Sequence, residues 1–251
     1  MIQYEDRTYG ERIAGVYDDF YGGYDEAMID RLAELAGRGP GRALELGIGT
    51  GRVALPLRQR GVEVAGIDAS PAMIARLRAK PGGAEVQVVE ASIADFDLGQ
   101  AFDLVYVVFN TFYSLLTQEE QVRCFRSVAR HLAGEGVFVL EVFVPDLCRF
   151  EEGQTVRAVN VETDRLQIDI TMHDAVKQQV RSQHLLIAEE GLRLYPVVLR
   201  YAWPSELDLM ARRDWRFPAY HLYTEVEARR LHTPRRRRME KVHSPSVWAK
   251  E

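Results

Sequence analysis

One stretch constrains this chain more than any other: Ala43 to Leu57, which reads ALELGIGTGRVALPL. A short apolar run rises to Glu45, Gly47, Gly49 and Gly51 follow at every second position, and helical spacing of apolar residues begins at Val53. A strand, a tight glycine turn and a helix in that order form the opening unit of a nucleotide-binding α/β sheet. Glycines suit the turn because it needs positive φ and because a ligand must come close to bare backbone.

Around this unit the pattern alternates. The spacing predicts an amphipathic helix over Glu11–Tyr21, carrying Ile13, Val16, Tyr17, Phe20 and Tyr21, and a second over Tyr24–Arg38. The aromatic helix reads either as packing on the domain or as a lid over a ligand. Strands are expected at Arg42–Leu46, Val62–Ile67, Glu85–Glu90, Ala101–Phe109 and Gly136–Val144. Helices are expected from Val53 to about Arg60, from Pro71 to about Ala79, and over Gln118–Leu132. That alternation predicts an α/β fold, a doubly wound, Rossmann-like, mostly parallel sheet. Residues 155–163, 166–174, 177–188 and 192–201 then read as an antiparallel β meander inserted after strand five, followed by a helix over Pro204–Arg213. The expected organisation is an N-terminal helical lid (1–40), a cofactor-binding core (41–150), a β insertion contributing to the acceptor site (151–203), and a C-terminal helix with a basic tail (204–251). Ser246–Lys250 is a strand candidate, but the last forty residues do not read as a strand pair.

Composition narrows the class. No apolar run approaches the roughly 18 residues of a membrane span. The N-terminus MIQYEDRTYGERI is polar and acidic, unlike a signal peptide. With only Cys124 and Cys148, neither a disulfide scaffold nor a Cys-rich metal site is expected. A cytoplasmic protein without metal or membrane partner is the default. Net charge is -5, yet Ala211–Glu251 carries a local +6, with Arg235–Arg238 as its extreme. One arginine cluster without interleaved aromatics reads more readily as a solvated tail than as a nucleic-acid patch.

The ligand question turns on spacing. A dinucleotide turn is G-x-G-x-x-G, whereas this chain has G-x-G-x-G followed by Arg52 and preceded by the acid Glu45; a P-loop is excluded because no Gly-Lys-Ser/Thr follows. Asp68, at the end of strand two, can accept both hydroxyls of a ribose, or can simply cap the next helix. Glu45 can likewise meet a ligand's ammonium or serve as a buried structural acid.

These residues resemble the class I S-adenosylmethionine-dependent methyltransferases, whose first motif is an acid followed by G-x-G-x-G. The resemblance implies S-adenosyl-L-methionine as cofactor, held around Glu45, Gly47, Gly49, Gly51 and Arg52. It adds Asp68, Ala69 and Met73 from Ile67-Asp68-Ala69-Ser70-Pro71-Ala72-Met73, Ser92 and Ile93 after strand three, Phe109 after strand four, and Tyr17. Ser92 stands where the family often has an acid for adenine. Asn110 lacks the prolines that nucleic-acid amino methyltransferases carry after it, which favours a small acceptor. The segment Tyr9–Asp18, with the meander, is similar to antibiotic-pathway sugar N,N-dimethyltransferases. In that family the tyrosine matching Tyr9 lies near the transferring methyl, so Tyr9 and Tyr17 are the expected catalytic residues. A family histidine after strand four is replaced by Ser114. His131, His173 and His184 read as structural or exposed, and no base stands in a motif position. The expected reaction is methyl transfer to a small amine, with hydroxyl transfer, a nicotinamide enzyme and a non-catalytic binding module as alternatives. A homodimer is the expected assembly.

Overall fold

Strand β1 (Arg42–Leu46) is buried along nearly its whole length, as a central parallel strand must be when helices cover both faces. In the computed structural model it pairs in parallel with β2 (Glu63–Asp68) on one side and β4 (Phe102–Val107) on the other. The structure describes residues 4–5, 7–37, 41–213, 219–220 and 246–249. Beyond β2 lies β3 (Gln87–Glu90), and beyond β4 lies β5 (Leu132–Leu140), so the parallel strands run 3-2-1-4-5. The strand order reverses between β1 and β4, the place where α/β sheets seat their ligands. Helices α4 (Ala54–Gln59), α5 (Pro71–Arg78) and α6 (Gln118–His131) connect these strands. Thr117 and Glu120 close a capping box at the start of α6.

The sheet does not end at β5. Strand β11 (Ser246–Ala249) pairs antiparallel with β5, and β10 (Ala219–Tyr220) pairs antiparallel with β11. The strand pair that the C-terminal sequence does not display is therefore present, built from two short segments. Arg235–Arg238 lies outside the described residues.

Two further expectations are corrected. The single N-terminal helix over 11–21 is two: α1 (Thr8–Ile13) and α2 (Tyr17–Tyr21). Gly15 weakens the helix interior and Val16 leaves helical geometry at φ -128°. The break frees the Gly15 carbonyl to accept from Arg76 at 3.1 Å. Strand five starts and stops about four residues earlier than 136–144, because Phe143 leaves the sheet and its N–H donates to Asn110 Oδ1 at 2.6 Å. The second helix, α3 (Glu26–Leu35), begins at an Asp25 cap.

Strands β6 (Gln154–Val161), β7 (Arg165–Asp174), β8 (Gln179–Ala188) and β9 (Gly191–Arg200) form a separate antiparallel sheet in simple meander order. Buried Gln121 of α6 docks it, donating to the carbonyls of Leu115 and Arg200 while the Arg200 guanidinium donates back to Gln121. Arg200 also pairs with Glu206, at the start of α7 (Pro204–Arg213), at 2.7 Å. Tyr113 ties the same corner by donating its hydroxyl to the Ala202 and Phe143 carbonyls. These buried polar links fix the second sheet above the C-terminal ends of β1 and β4.

Candidate active site

Between the two sheets lies a cavity of about 570 Å³. Its floor is the glycine turn. Gly47, Gly49 and Gly51 all have positive φ, but they do different work. A Cβ on Gly49 would meet nothing nearer than Met73 Cε at 3.8 Å, so this backbone lies open to the cavity. A Cβ on Gly51 would press into Leu77 Cδ1 at 2.3 Å, so Gly51 lets the turn pack on α5 and does not line the cavity.

Asp68 sits at the exit of β2 with its carboxylate already aligned. Gly49 N–H donates to Oδ2 at 2.7 Å and Ser70 N–H to Oδ1 at 2.8 Å. Burial raises its pKa above the ordinary carboxylate value, and these backbone donors pull the other way. Each oxygen keeps a further lone pair facing the cavity side. Ala69, Met73, Ser92 and Ile93 continue the wall from there.

Glu45 lies elsewhere. It is 3% exposed, sealed behind the turn, and absent from the cavity wall; the Tyr106 hydroxyl donates to its Oε2 at 2.9 Å. Burial pushes its carboxyl up to about 8, so at neutral pH it is largely protonated. The direct ligand contact expected of Glu45 is not part of this geometry. Glu45 faces Tyr106 across the β1–β4 pairing.

The N-terminal helices close one side. Asp18 accepts from Thr50 Oγ1 at 2.6 Å and pairs with Lys80 at 2.8 Å, while Glu11 accepts from Ser70 Oγ at 2.8 Å and Ala72 N–H at 3.1 Å. These contacts pin α1 and α2 to the turn and to α5, and they bring Tyr9 and Tyr17 into the cavity wall. The Tyr9 hydroxyl donates to Tyr21 at 3.4 Å. Burial raises both Tyr9 and Tyr17 above the ordinary phenol value, Arg52 partly offsetting it at Tyr17, so both stay protonated.

Arg52 connects the pieces. Its guanidinium lies 3.6 Å from the Phe109 ring centroid, donates to the Tyr21 carbonyl at 2.9 Å and reaches the Tyr17 hydroxyl at 3.4 Å. Its Nε is buried with no hydrogen-bond partner. Phe109 and Asn110 both hold positive φ, 55° and 64°, a costly conformation that Glu141 pays for by binding both backbone N–H groups.

The roof comes from the β meander, of whose cavity residues the sequence reading named only His184, as structural or exposed. Val180, Ser182 and His184 of β8, with Val197 and Leu199 of β9, face the cavity. The register lines up cross-strand rows on this face: Asp169–His184–Tyr195 and Thr171–Ser182–Val197. His184 Nδ1 lies 2.5 Å from Asp169 Oδ1, and Thr171 Oγ1 lies 3.0 Å from Ser182 Oγ. The other two histidines among the described residues are structural. His173 bonds the Tyr201 hydroxyl at 2.9 Å and stacks on Phe150, and buried His131 takes the Leu98 N–H at 2.9 Å. The signal for the roof was the polar alternation Asp169, Thr171, His173 in RLQIDITMH.

The methyltransferase domain family matches residues 43–136, the span from β1 into β5. A cypemycin N-terminal methyltransferase from a Streptomyces species is 31% identical over 172 residues, covering 67% of this chain and 69% of that protein. The chain belongs to the class I S-adenosylmethionine-dependent methyltransferases. A dTDP-4-amino-2,3,4,6-tetradeoxy-D-glucose N,N-dimethyltransferase from Saccharopolyspora spinosa is 36% identical over 126 residues, about half of each chain. The CcbJ methyltransferase of Streptomyces caelestis superposes on 99% of this methyltransferase and 100% of its own chain, with a TM-score of 0.82 and 35% identity. The cofactor is S-adenosylmethionine, which removes the nicotinamide and non-catalytic alternatives. The open backbone at Gly49, the pre-aligned Asp68 carboxylate and the orphaned Arg52 Nε fit such a group. Among the described residues no helix is long and apolar enough to cross a membrane.

Proposed function

We propose that this methyltransferase acts on the amine of a small molecule, an amino sugar or a comparable natural-product amine. The observation that carries this reading is the enclosure. The cavity of about 570 Å³ is bounded by floor, helical lid and roof, a volume suited to small ligands rather than to a nucleic-acid strand. Relatives named for an N-terminal amine and for an amino sugar support the same class.

When bound, S-adenosylmethionine supplies a methyl carbon activated by its sulfonium for in-line displacement. Asp68 would take the ribose hydroxyls, Arg52 Nε would donate to the amino-acid carboxylate, and Gly47, Gly49, Ala69, Met73, Ser92, Ile93 and Phe109 would shape the surrounding wall. Glu45 and Gly51 would serve by bracing the turn from behind. Tyr9 and Tyr17, held protonated, orient the acceptor through their hydroxyls and keep water from it. Alignment of the reacting atoms near 3–3.5 Å is the main source of rate in such a transfer.

The test is incubation with S-adenosylmethionine and paired acceptors, dTDP-linked amino sugars against the same sugars bearing hydroxyl in place of the amine, read by mass spectrometry. Methylation of the amines alone is expected. Methylation of the hydroxyl partner instead would replace the amine reading with O-transfer.

A further inference from the structure

An amine arriving at neutral pH carries a proton, and methylation cannot begin until the nitrogen regains its electron pair. The cavity groups already described cannot take that proton. Tyr9 and Tyr17 are held as neutral phenols, Asp68 lies on the floor where its backbone N–H donors favour the charged carboxylate, and Glu45 is shut off behind the turn. One group facing the cavity is different. His184 is braced through Nδ1 by Asp169, and a carboxylate only accepts, so Nδ1 carries the ring's proton. Nε2 is then the nitrogen with a free lone pair, and it has no hydrogen-bond partner among the described residues. Imidazole is also the side chain whose ordinary titration lies near neutrality.

Resting on the amine reading, we infer that His184 is the acceptor's proton acceptor and that Asp169 is its positioning residue. In the step, an N–H bond of the bound ammonium breaks, its electron pair stays on nitrogen, and the proton moves to Nε2. The resulting imidazolium is held against the Asp169 carboxylate and returns its proton to solvent when product leaves. The rest of the setting suits this. Tyr195 flanks His184 from β9, and Arg157 stands opposite Asp169 on β6. Across the cavity are Arg149, Arg52, Tyr9 and Tyr17. Among the described residues no carboxylate other than Asp68 shares the cavity wall, so no second acid competes there with Asp169 for the ring.

Two measurements test it. In the free protein labelled with ¹⁵N at histidine, the His184 signal, assigned by its loss in His184→Gln, should show the Nδ1–H tautomer; an Nε2–H tautomer overturns the proposal with no acceptor needed. With the amino sugar that the wild type turns over, His184→Gln should lose about 100-fold in kcat at pH 7. That loss should shrink as pH approaches the amine's own pKa, where the acceptor deprotonates unaided. Asp169→Asn should show the same pH recovery from a smaller loss. S-adenosylmethionine affinity by calorimetry should hold within twofold in both variants. A loss equal at every pH, or no loss, overturns the proposal. Absence of any amine methylation by the wild type would instead count against the acceptor reading, and the tautomer would still decide on His184.

Discussion

The floor and the roof of this cavity obey opposite rules. The floor follows the usual one: β1, β2 and β4 bury apolar side chains on both faces, and what faces the cavity is backbone, glycine and one carboxylate at a strand end. The roof turns the rule around. On β7, Thr171 is 6% exposed while its neighbours Ile170 and Met172 are 40% and 53% exposed, and beside it the cavity face of β8 and β9 sets Ser182 and His184 among Val180, Val197 and Leu199. A floor made from backbone can recognise only what is common to every turnover. A roof made from side chains can be retuned residue by residue, and that division suits a fixed cofactor below and a variable acceptor above.

The largest effect expected from breaking the floor is at Asp68. Asp68→Ala removes the partner of the Gly49 and Ser70 N–H groups together with the proposed ribose anchor. Hydrogen bonds to a charged group are worth about 1.5–3 kcal/mol each, so S-adenosylmethionine affinity should fall by at least about 100-fold in calorimetric titration. An unchanged affinity would show that the floor recognises the cofactor without its carboxylate.

Next in size is a pH effect confined to the floor. Glu45 has an ordinary value of 4.5 and is pushed up to about 8 by burial, so between these limits the folded protein holds a proton that the unfolded chain has released. Its contribution to stability is greatest below pH 4.5 and falls as pH rises to about 8. Glu45→Gln has no such titration. Its stability relative to wild type should therefore rise by about 3 kcal/mol between pH 5 and pH 7.5, read from urea midpoints at each pH. A constant difference across that range would mean the carboxyl is already charged behind the turn.

The same contrast explains what the sequence could tell. The floor was legible because its chemistry is local: three glycines, an acid and a helix start all lie between Gly47 and Pro71, and the alternation of strands and helices announces a parallel sheet. Where reading failed, the deciding contact was distant. Distance along the chain places Glu45 beside the turn, but only the pairing with Tyr106 shows which face it takes. The helix break at Gly15–Val16 depends on Arg76, and the positive φ of Phe109 depends on Glu141. His184 is 15 residues from Asp169, and their contact exists only because the β7–β8 register sets them opposite each other. A period of two announces the strands of the meander, yet the pattern alone cannot say which side faces in.

The smallest effect isolates the roof. Thr171→Val keeps the shape of a buried side chain and removes its hydroxyl, which lies 3.0 Å from Ser182 Oγ. Ser182 faces the cavity, where water can replace the lost partner, so the cost should stay near 1 kcal/mol of stability, a shift of a few degrees in Tm. Because neither hydroxyl touches the glycine turn or Asp68, S-adenosylmethionine affinity should remain within twofold. The acceptor KM should move instead, since the inner face of β8 carries Ser182 and His184 side by side toward the same space. A tenfold loss of cofactor affinity in Thr171→Val would couple roof to floor, and the assignment of one ligand to each would have to be given up.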